Sequence, residues 1–339
     1  MARKSEKGKN RHLLKDLGKL AQKLRKEGKF DEAEAKYASL LDIDPHNVYA
    51  LVGLGDLKRK TGQFREAVSY YQECLEHEQG NRYALAGLGD AYRGLRDLDK
   101  ALDTWLFYLS YNPNDYKILT RVADAYRKKG DLEVSRSYYS LALEKNPDDA
   151  YALIGLGTLS ALEGRDSEAL GYFTRLIGSP GESVVAYTSA ANIYRKRRLY
   201  QKAVALYEKA IEMNPQNSHA WHGKADCLRG MKHYQSSIKT WEIALECGMD
   251  PRVGRTRIGD AFRHLNDLEK ASEHYSRALE LGYDKFAHLG MAKIHISRNE
   301  LEKASEIFTM LLQKEPGDDR IAKEAEDFYT QYPNPVMSG

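Results

Sequence analysis

The 339-residue sequence is poor in cysteine, in long apolar runs and in the residue groupings that carry catalysis. Its three cysteines, Cys74, Cys227 and Cys247, lie far apart. An odd count with long gaps gives no C-x-x-C pair for zinc or redox chemistry and no disulfide framework, so the three are expected to be small apolar fillers. No apolar stretch approaches the roughly 18 residues that cross a bilayer. The N-terminal MARKSEKGKNRHLL has basic residues but no apolar core behind them, unlike a secretory signal. These absences point to a cytoplasmic protein with no membrane insertion. No nucleophile stands with a base, and no carboxylate pair belongs to a defined cleft. The expectation is therefore a protein that is not an enzyme and needs no cofactor.

Hydrophobic residues make up 42% and charged residues 30%, a balance that suits a folded chain rather than a disordered one. The net charge is +3, but residues 1–29 carry eleven Lys/Arg against three Asp/Glu, which leaves residues 30–339 at −5. A basic leading segment could touch nucleic acid or an acidic partner; a solvated tail running into a charged helix is the simpler reading.

The strongest positive signal is recurrence. The stretch GLGDAYR (87–93) returns at intervals of 34 residues as GLGDLKR (53–59), RVADAYR (121–127), GLGTLSA (155–161), SAANIYR (189–195), GKADCLR (223–229) and RIGDAFR (257–263). A diverged copy occupies 14–47, and a ninth, near 285–318, follows a connection one residue shorter. Units then start near 14, 48, 82, 116, 150, 184, 218, 252 and 285. Position 8 is always small (Gly55, Gly89, Ala123), position 20 is small (Ala67, Ala101, Ser135), and position 24 is aromatic (Tyr71, Trp105, Tyr139). Positions 4, 7, 8 and 11 form one apolar helical face, and positions 20, 24 and 27 or 28 form a second. Each unit thus reads as a helical hairpin, with small residues letting two backbones approach and a proline such as Pro113 or Pro215 stopping the second helix. The glycine pair of GLGD is a packing feature, since a phosphate loop would follow a strand and carry a lysine. His288 and His295 fall on core positions 4 and 11.

This pattern resembles the tetratricopeptide repeat family over about 305 residues. The resemblance implies an all-α, right-handed α-solenoid of about nine hairpins. The expected organisation is a basic flexible tail (1–13), nine units (14–318), a capping helix (319–332) and a disordered tail (333–339). It also implies that the first helix of each hairpin lines a concave groove through positions 2, 5, 6, 9, 12 and 13. Position 9 carries Asp56, Asp90, Asp124, Asn192, Asp226 and Asp260. Position 12 carries Arg59, Arg93, Arg127, Arg195, Arg229 and Arg263. Lys117, Arg121 and Arg257 add basic charge, and Tyr49, Tyr83 and Tyr151 add aromatic groups at position 2. Two readings stand: each Asp pairs with the Arg three residues on or with a neighbouring helix, or the two stripes recognise an extended peptide of alternating charge. Family members that clamp a chaperone's C-terminal carboxylate use Lys and Asn where this chain has Val52 and Asp56, so that mode is not expected. His219, His222 and Asp226 share a helical face, but a metal usually draws ligands from several elements.

The function expected is a protein-interaction scaffold or adaptor that binds a partner peptide or protein segment in the groove. RNA binding by a helical-repeat protein with a basic arm is the alternative, opposed by the groove aspartates. Exposed end faces would also allow self-association.

Overall fold

Asparagine or aspartate precedes nearly every first helix, and the backbone amides of that helix's first turn are where the side chain goes. Asn81 accepts from Tyr83 and Ala84, Asp115 from Lys117 and Ile118, Asn217 from Ala220, and Asp284 from Phe286 and Ala287. These are N-caps, each satisfying amides the helix itself leaves unpaired. The computed structural model describes the backbone of residues 2–179 and 182–333, with side chains from residue 13 onward within those ranges.

The chain forms two compact units, residues 1–159 and 160–339. The first contains α1 (Ala2–Lys26), α2 (Phe30–Ile43), α3 (Val48–Lys60), α4 (Phe64–His77), α5 (Arg82–Gly94), α6 (Leu98–Tyr111), α7 (Tyr116–Lys129), α8 (Leu132–Lys145) and most of α9 (Ala150–Leu162). The second contains α10 (Asp166–Thr174), α11 (Val184–Lys196), α12 (Tyr200–Met213), α13 (Ser218–Gly230), α14 (Tyr234–Glu246), α15 (Pro251–His264), α16 (Leu268–Glu280), α17 (Lys285–Ser297), α18 (Leu301–Lys314) and α19 (Asp319–Gln331). No strand occurs among the described residues. None of these helices is long and apolar enough to cross a membrane.

Two local features depart from a uniform hairpin. Helix α1 begins at Ala2, inside the stretch expected to be a tail. Helix α10 has nine residues where most other second helices have thirteen or fourteen, and Gly178 follows it at φ 76°. The tail expected from residue 333 lies outside the described residues from 334 onward. In the turns between paired helices one residue takes a left-handed backbone: Gly62, Gly130 and Gly164, but also Arg96, Arg198, Lys232, Asn266 and Asn299.

Packing within each unit is organised by the aromatic at position 24. Tyr71 on α4 is fully buried. Its ring lies between Gly55, on the first helix of its own hairpin, and Gly87, on the first helix of the next. A Cβ on either glycine would come within 2.6 Å of that ring. The aromatic is therefore a wedge that joins a hairpin to its successor. The same seating recurs at Tyr37 against Gly53, Tyr139 against Gly155, Tyr207 against Gly223 and Tyr275 against Gly290. Gly-to-Ala in a helix normally stabilises by about 0.5–1 kcal/mol. Gly87→Ala is expected to do the reverse, destabilising by about 1–3 kcal/mol through overpacking, visible as a lower urea midpoint at unchanged slope.

At the C-terminal end, α19 places Ile321, Ala325 and Phe328 on the face left by the last hairpin. Phe328 stacks on Phe308 with ring centroids 5.0 Å apart. His288 and His295 are only half-buried. His295 leaves the core because its Nδ1 lies 2.5 Å from the Glu300 carboxylate, and His288 packs beside the Tyr283 ring.

Candidate functional site

Consecutive first helices pack against one another, α1 on α3 and α3 on α5 in the first unit, α11 on α13 and α15 on α17 in the second. Among the described residues no pair of consecutive second helices packs comparably. Within each unit the first-helix side is therefore the tighter, inner side, and positions 9 and 12 fall on it.

There the aspartates are held by three kinds of donor. The first is the tyrosine wedge. Tyr71 Oη donates to Asp56 Oδ1 at 2.8 Å, Tyr275 Oη to Asp260 Oδ1 at 2.8 Å, and Tyr207 Oη to Asn192 Oδ1 at 2.6 Å. The second is the arginine one turn on. The Arg127–Asp124 distance is 2.6 Å, Arg93–Asp90 3.1 Å and Arg229–Asp226 3.3 Å. Arg59 lies 3.7 Å from Asp56, while Asp260 is approached from the other direction by Arg257 at 3.7 Å. The third is the arginine of the preceding hairpin, 31 residues earlier: Arg25 reaches Asp56 at 2.5 Å, Arg59 reaches Asp90 at 3.5 Å, and Arg195 reaches Asp226 at 3.0 Å. Neighbouring hairpins are thus cross-linked by charge as well as by ring packing. Arg263 lies beside the Tyr275 hydroxyl, and its Nε is buried without a hydrogen-bond partner among the described residues.

The tyrosine hydroxyls gain pKa from this arrangement. Burial, more than any other cause, pushes Tyr139 and Tyr207 up to about 12, against about 10 in an unfolded chain. A raised tyrosine pKa means that the unfolded state loses its proton first. Stability contributed by the protonated ring is then complete below pH 10 and is lost as the pH rises from about 10 to about 12. Urea midpoints are expected to fall across that window, with tyrosinate absorbance of these rings appearing only as the fold is lost. On the acid side, burial works to raise the Asp124 pKa, but hydrogen bonds from Lys128 and Arg127 outweigh it and leave the group below its ordinary value.

Two hairpins share a different arrangement. Hairpins α5–α6 and α13–α14 carry Trp105 and Trp241 at position 24, so no hydroxyl reaches Asp90 or Asp226. In the following hairpin, position 6 is Arg121 or Arg257 instead of the glycine that seats a tyrosine. Asp90 is surrounded by three guanidiniums, from Arg59, Arg93 and Arg121, the last at 3.2 Å. Its side chain is 5% exposed, while theirs are 30–41% exposed. Asp226 is buried beneath Arg195 and Arg229, with His222 Nε2 at 3.7 Å. Trp241 Nε1 donates to His222 Nδ1 at 3.3 Å. Burial lowers the His222 pKa, Asp226 opposes that, and Arg257 and Arg195 add to it. Both ring nitrogens are thus engaged within the fold. His219 is exposed, and among the described residues no group of three His, Cys, Asp or Glu side chains could hold a metal ion.

The three tyrosines at position 2 separate. Tyr49 donates to the Gly18 carbonyl of the preceding first helix at 3.1 Å and packs between hairpins. Tyr83 and Tyr151 are 60% and 76% exposed. Tyr83 accepts a 2.6 Å hydrogen bond from Arg82. Lys117 is exposed one turn before Arg121.

Arg25, the tyrosine hydroxyls and the position-6 glycines escape a reading confined to the Asp/Arg stripes. Their signal is present in the sequence, as the constant 31-residue offset between an arginine and the next hairpin's aspartate. A second signal is the joint appearance of tryptophan at position 24 with arginine at the next position 6.

Tetratricopeptide-repeat profiles match residues 24–69, 52–106, 121–183, 184–217, 206–239 and 255–281, more than half of the chain. No curated protein sequence matches the chain. Among solved structures, the Pseudomonas aeruginosa pilF protein is similar over 62% of this chain and 96% of its own, at 13% identity and a TM-score of 0.56, which shows the fold. A tetratricopeptide repeat protein from Parabacteroides merdae aligns over 83% of this chain and 99% of its own, with 17% identity and a TM-score of 0.45. MamA aligns over 53% of this chain and 97% of its own, with 21% identity and a TM-score of 0.43. With a 34-residue hairpin repeated along an all-helical chain, and repeat profiles matching along its length, this protein belongs to the tetratricopeptide repeat family.

Proposed function

We propose that the protein is a non-enzymatic scaffold or adaptor that binds a segment of a partner protein on the first-helix side of its hairpins. Helical repeats in this family serve protein interaction, and that general role is the starting point. The observation that carries the finer reading is the division of labour on the inner side. Asp90 and Asp226 are buried beneath their arginines, whereas Tyr83, Tyr151 and the edges of Arg59, Arg93 and Arg121 remain open to a ligand. Aromatic and arginine side chains with apolar stems and polar tips are the residue types that dominate recognition surfaces. An extended segment laid across the first helices would meet a new pair of such groups at each hairpin.

The test is site-specific photo-crosslinking. A photoreactive residue at Tyr83 or Tyr151 should capture a partner from native lysate, and one at Phe107, exposed on a second helix, should not. Capture at Phe107 without capture at the two tyrosines would remove the inner side as the binding surface.

A further inference from the structure

The geometry points to two related anion-binding sites, one in each compact unit, that select an acidic segment of the partner protein: Arg59, Arg93 and Arg121 over Asp90, and Arg195 and Arg229 over Asp226 with Arg257, paired to Asp260, on the next first helix. This inference rests on the inner-side reading above and adds the chemistry of what binds there.

The argument begins with charge. In the first cluster Arg25, Arg59, Arg93 and Arg121 face Asp56 and Asp90, an excess of two positive charges; in the second Arg195, Arg229 and Arg257 face Asp226 and Asp260, an excess of one. Burial lowers the Arg121 pKa, Asp90 opposes it, and Arg93 and Arg59 lower it further, which is the electrostatic signature of cations crowded around too few anions. The excess is displayed outward, because the aspartate lies at the floor and the guanidiniums at the rim. The flanking first helix reinforces it: α7 carries Lys117, Arg121, Arg127 and Lys128 against Asp124 alone on its inner side. At these two places an alternating acidic and basic ligand no longer fits, since Asp90 and Asp226 are 5% and 8% exposed and the arginines over them 30–41%.

Placement supplies the second argument. The two clusters stand four repeats apart, at matching positions 9, 12 and next-hairpin 6, and each coincides with a tryptophan at position 24. In hairpins α3–α4 and α15–α16 a tyrosine hydroxyl serves the aspartate and a glycine of the next hairpin seats the ring. At the two clusters the hydroxyl is gone and a guanidinium has taken the glycine's place. Arg93 also lies over the Trp105 ring at 5.6 Å, which orients its fork. Arginine forks bind carboxylate and phosphate through paired N–H donors, so glutamate, aspartate or phosphoserine side chains share the required chemistry. The same replacement at two places, one in each unit, makes two related sites.

The experiment uses the full chain and four short fluorescent probes at low and moderate salt. These are a glutamate-rich peptide, the same peptide with phosphoserines, a lysine-rich counterpart and a single-stranded RNA of equal length. The glutamate-rich and phosphoserine peptides should bind, weaken as salt rises, and saturate at two per chain; their relative affinity tells which anion the forks prefer. Arg93→Gln and Arg229→Gln, at the exposed rims, should each weaken binding at one site about tenfold or more. Stoichiometry should then fall towards one. Lys145→Gln and Lys239→Gln, exposed on second helices, should change neither value, and circular dichroism should show every variant folded. Binding of the lysine-rich peptide as tight as that of the acidic ones, or unchanged stoichiometry in both folded arginine variants, would overturn the inference. So would RNA binding tighter than the acidic peptides with the same arginine dependence. If Tyr83 and Tyr151 still crosslink a partner in the arginine variants, the scaffold reading stands and the acidic preference falls.

Discussion

Tyr71→Ala should destabilise the first unit by about 3–5 kcal/mol, the range for deleting a buried aromatic ring. The ring is fully buried, contacts glycines of two successive hairpins, and delivers its hydroxyl to Asp56. Removing it leaves a cavity at the joint between hairpins. In a repeat array, stability is close to a sum of unit and interface contributions, so the loss should be local at first. Amide exchange should rise in α3, α4 and α5 while α7 and α8 keep most of their protection. Tyr71→Phe separates ring from hydroxyl. It keeps the wedge and removes two hydrogen bonds, one donated to Asp56 and a long one accepted from Arg59 Nε, for a cost of about 1–2 kcal/mol, because Asp56 retains Arg25 and Arg59. Equal losses for Ala and Phe in urea unfolding would mean that the hydroxyl, not the ring, holds the joint.

Asp90→Ala is the second large effect, at about 3 kcal/mol. Removing the buried member of a charge cluster leaves its partners uncompensated, and here three guanidiniums lose their only shared anion. The cost sits at the low end of the usual range because the arginines are partly exposed and can turn towards water. Asp124 provides the contrast. Its side chain is 30% exposed and it forms ion pairs with Arg127 and Lys128 on its own helix. Asp124→Ala should cost about 0.5–1 kcal/mol. Denaturant unfolding of the two variants side by side tests the difference; equal costs would mean that Asp90 is not the floor of a shared cluster.

The hairpin architecture was legible because it is written many times. One copy of GLGDAYR could open a nucleotide loop, but seven at a constant interval, each followed by a small residue and an aromatic, admit only a repeated helical pair. What periodicity could not supply was the assignment of partners. Asp56 and Asp90 look identical in sequence, each with an arginine three residues on. Yet Asp56 receives a tyrosine hydroxyl and Asp90 receives Arg121, because the residue 15 positions later is tyrosine in one hairpin and tryptophan in the other. That distinction depends on which ring can reach across a helix pair. The three position-2 tyrosines pose the same difficulty. Tyr49 finds the carbonyl of Gly18, whereas Tyr83 and Tyr151 stay exposed. Lys58 shows the converse: at a core position it remains tolerable because Glu34 and Glu66 flank it at 2.9 and 3.1 Å.

The left-handed turn residues carry a consequence for engineering. Arg96, Arg198 and Lys232 adopt a backbone that L-amino acids enter at a cost of about 1–2 kcal/mol, whereas asparagine enters it more readily. Glycine at those three corners would relieve more strain than it adds in unfolded-chain freedom, while Asn266 and Asn299 have little to gain. The heat resistance of this array can therefore be raised from its corners alone, leaving every recognition residue as it is.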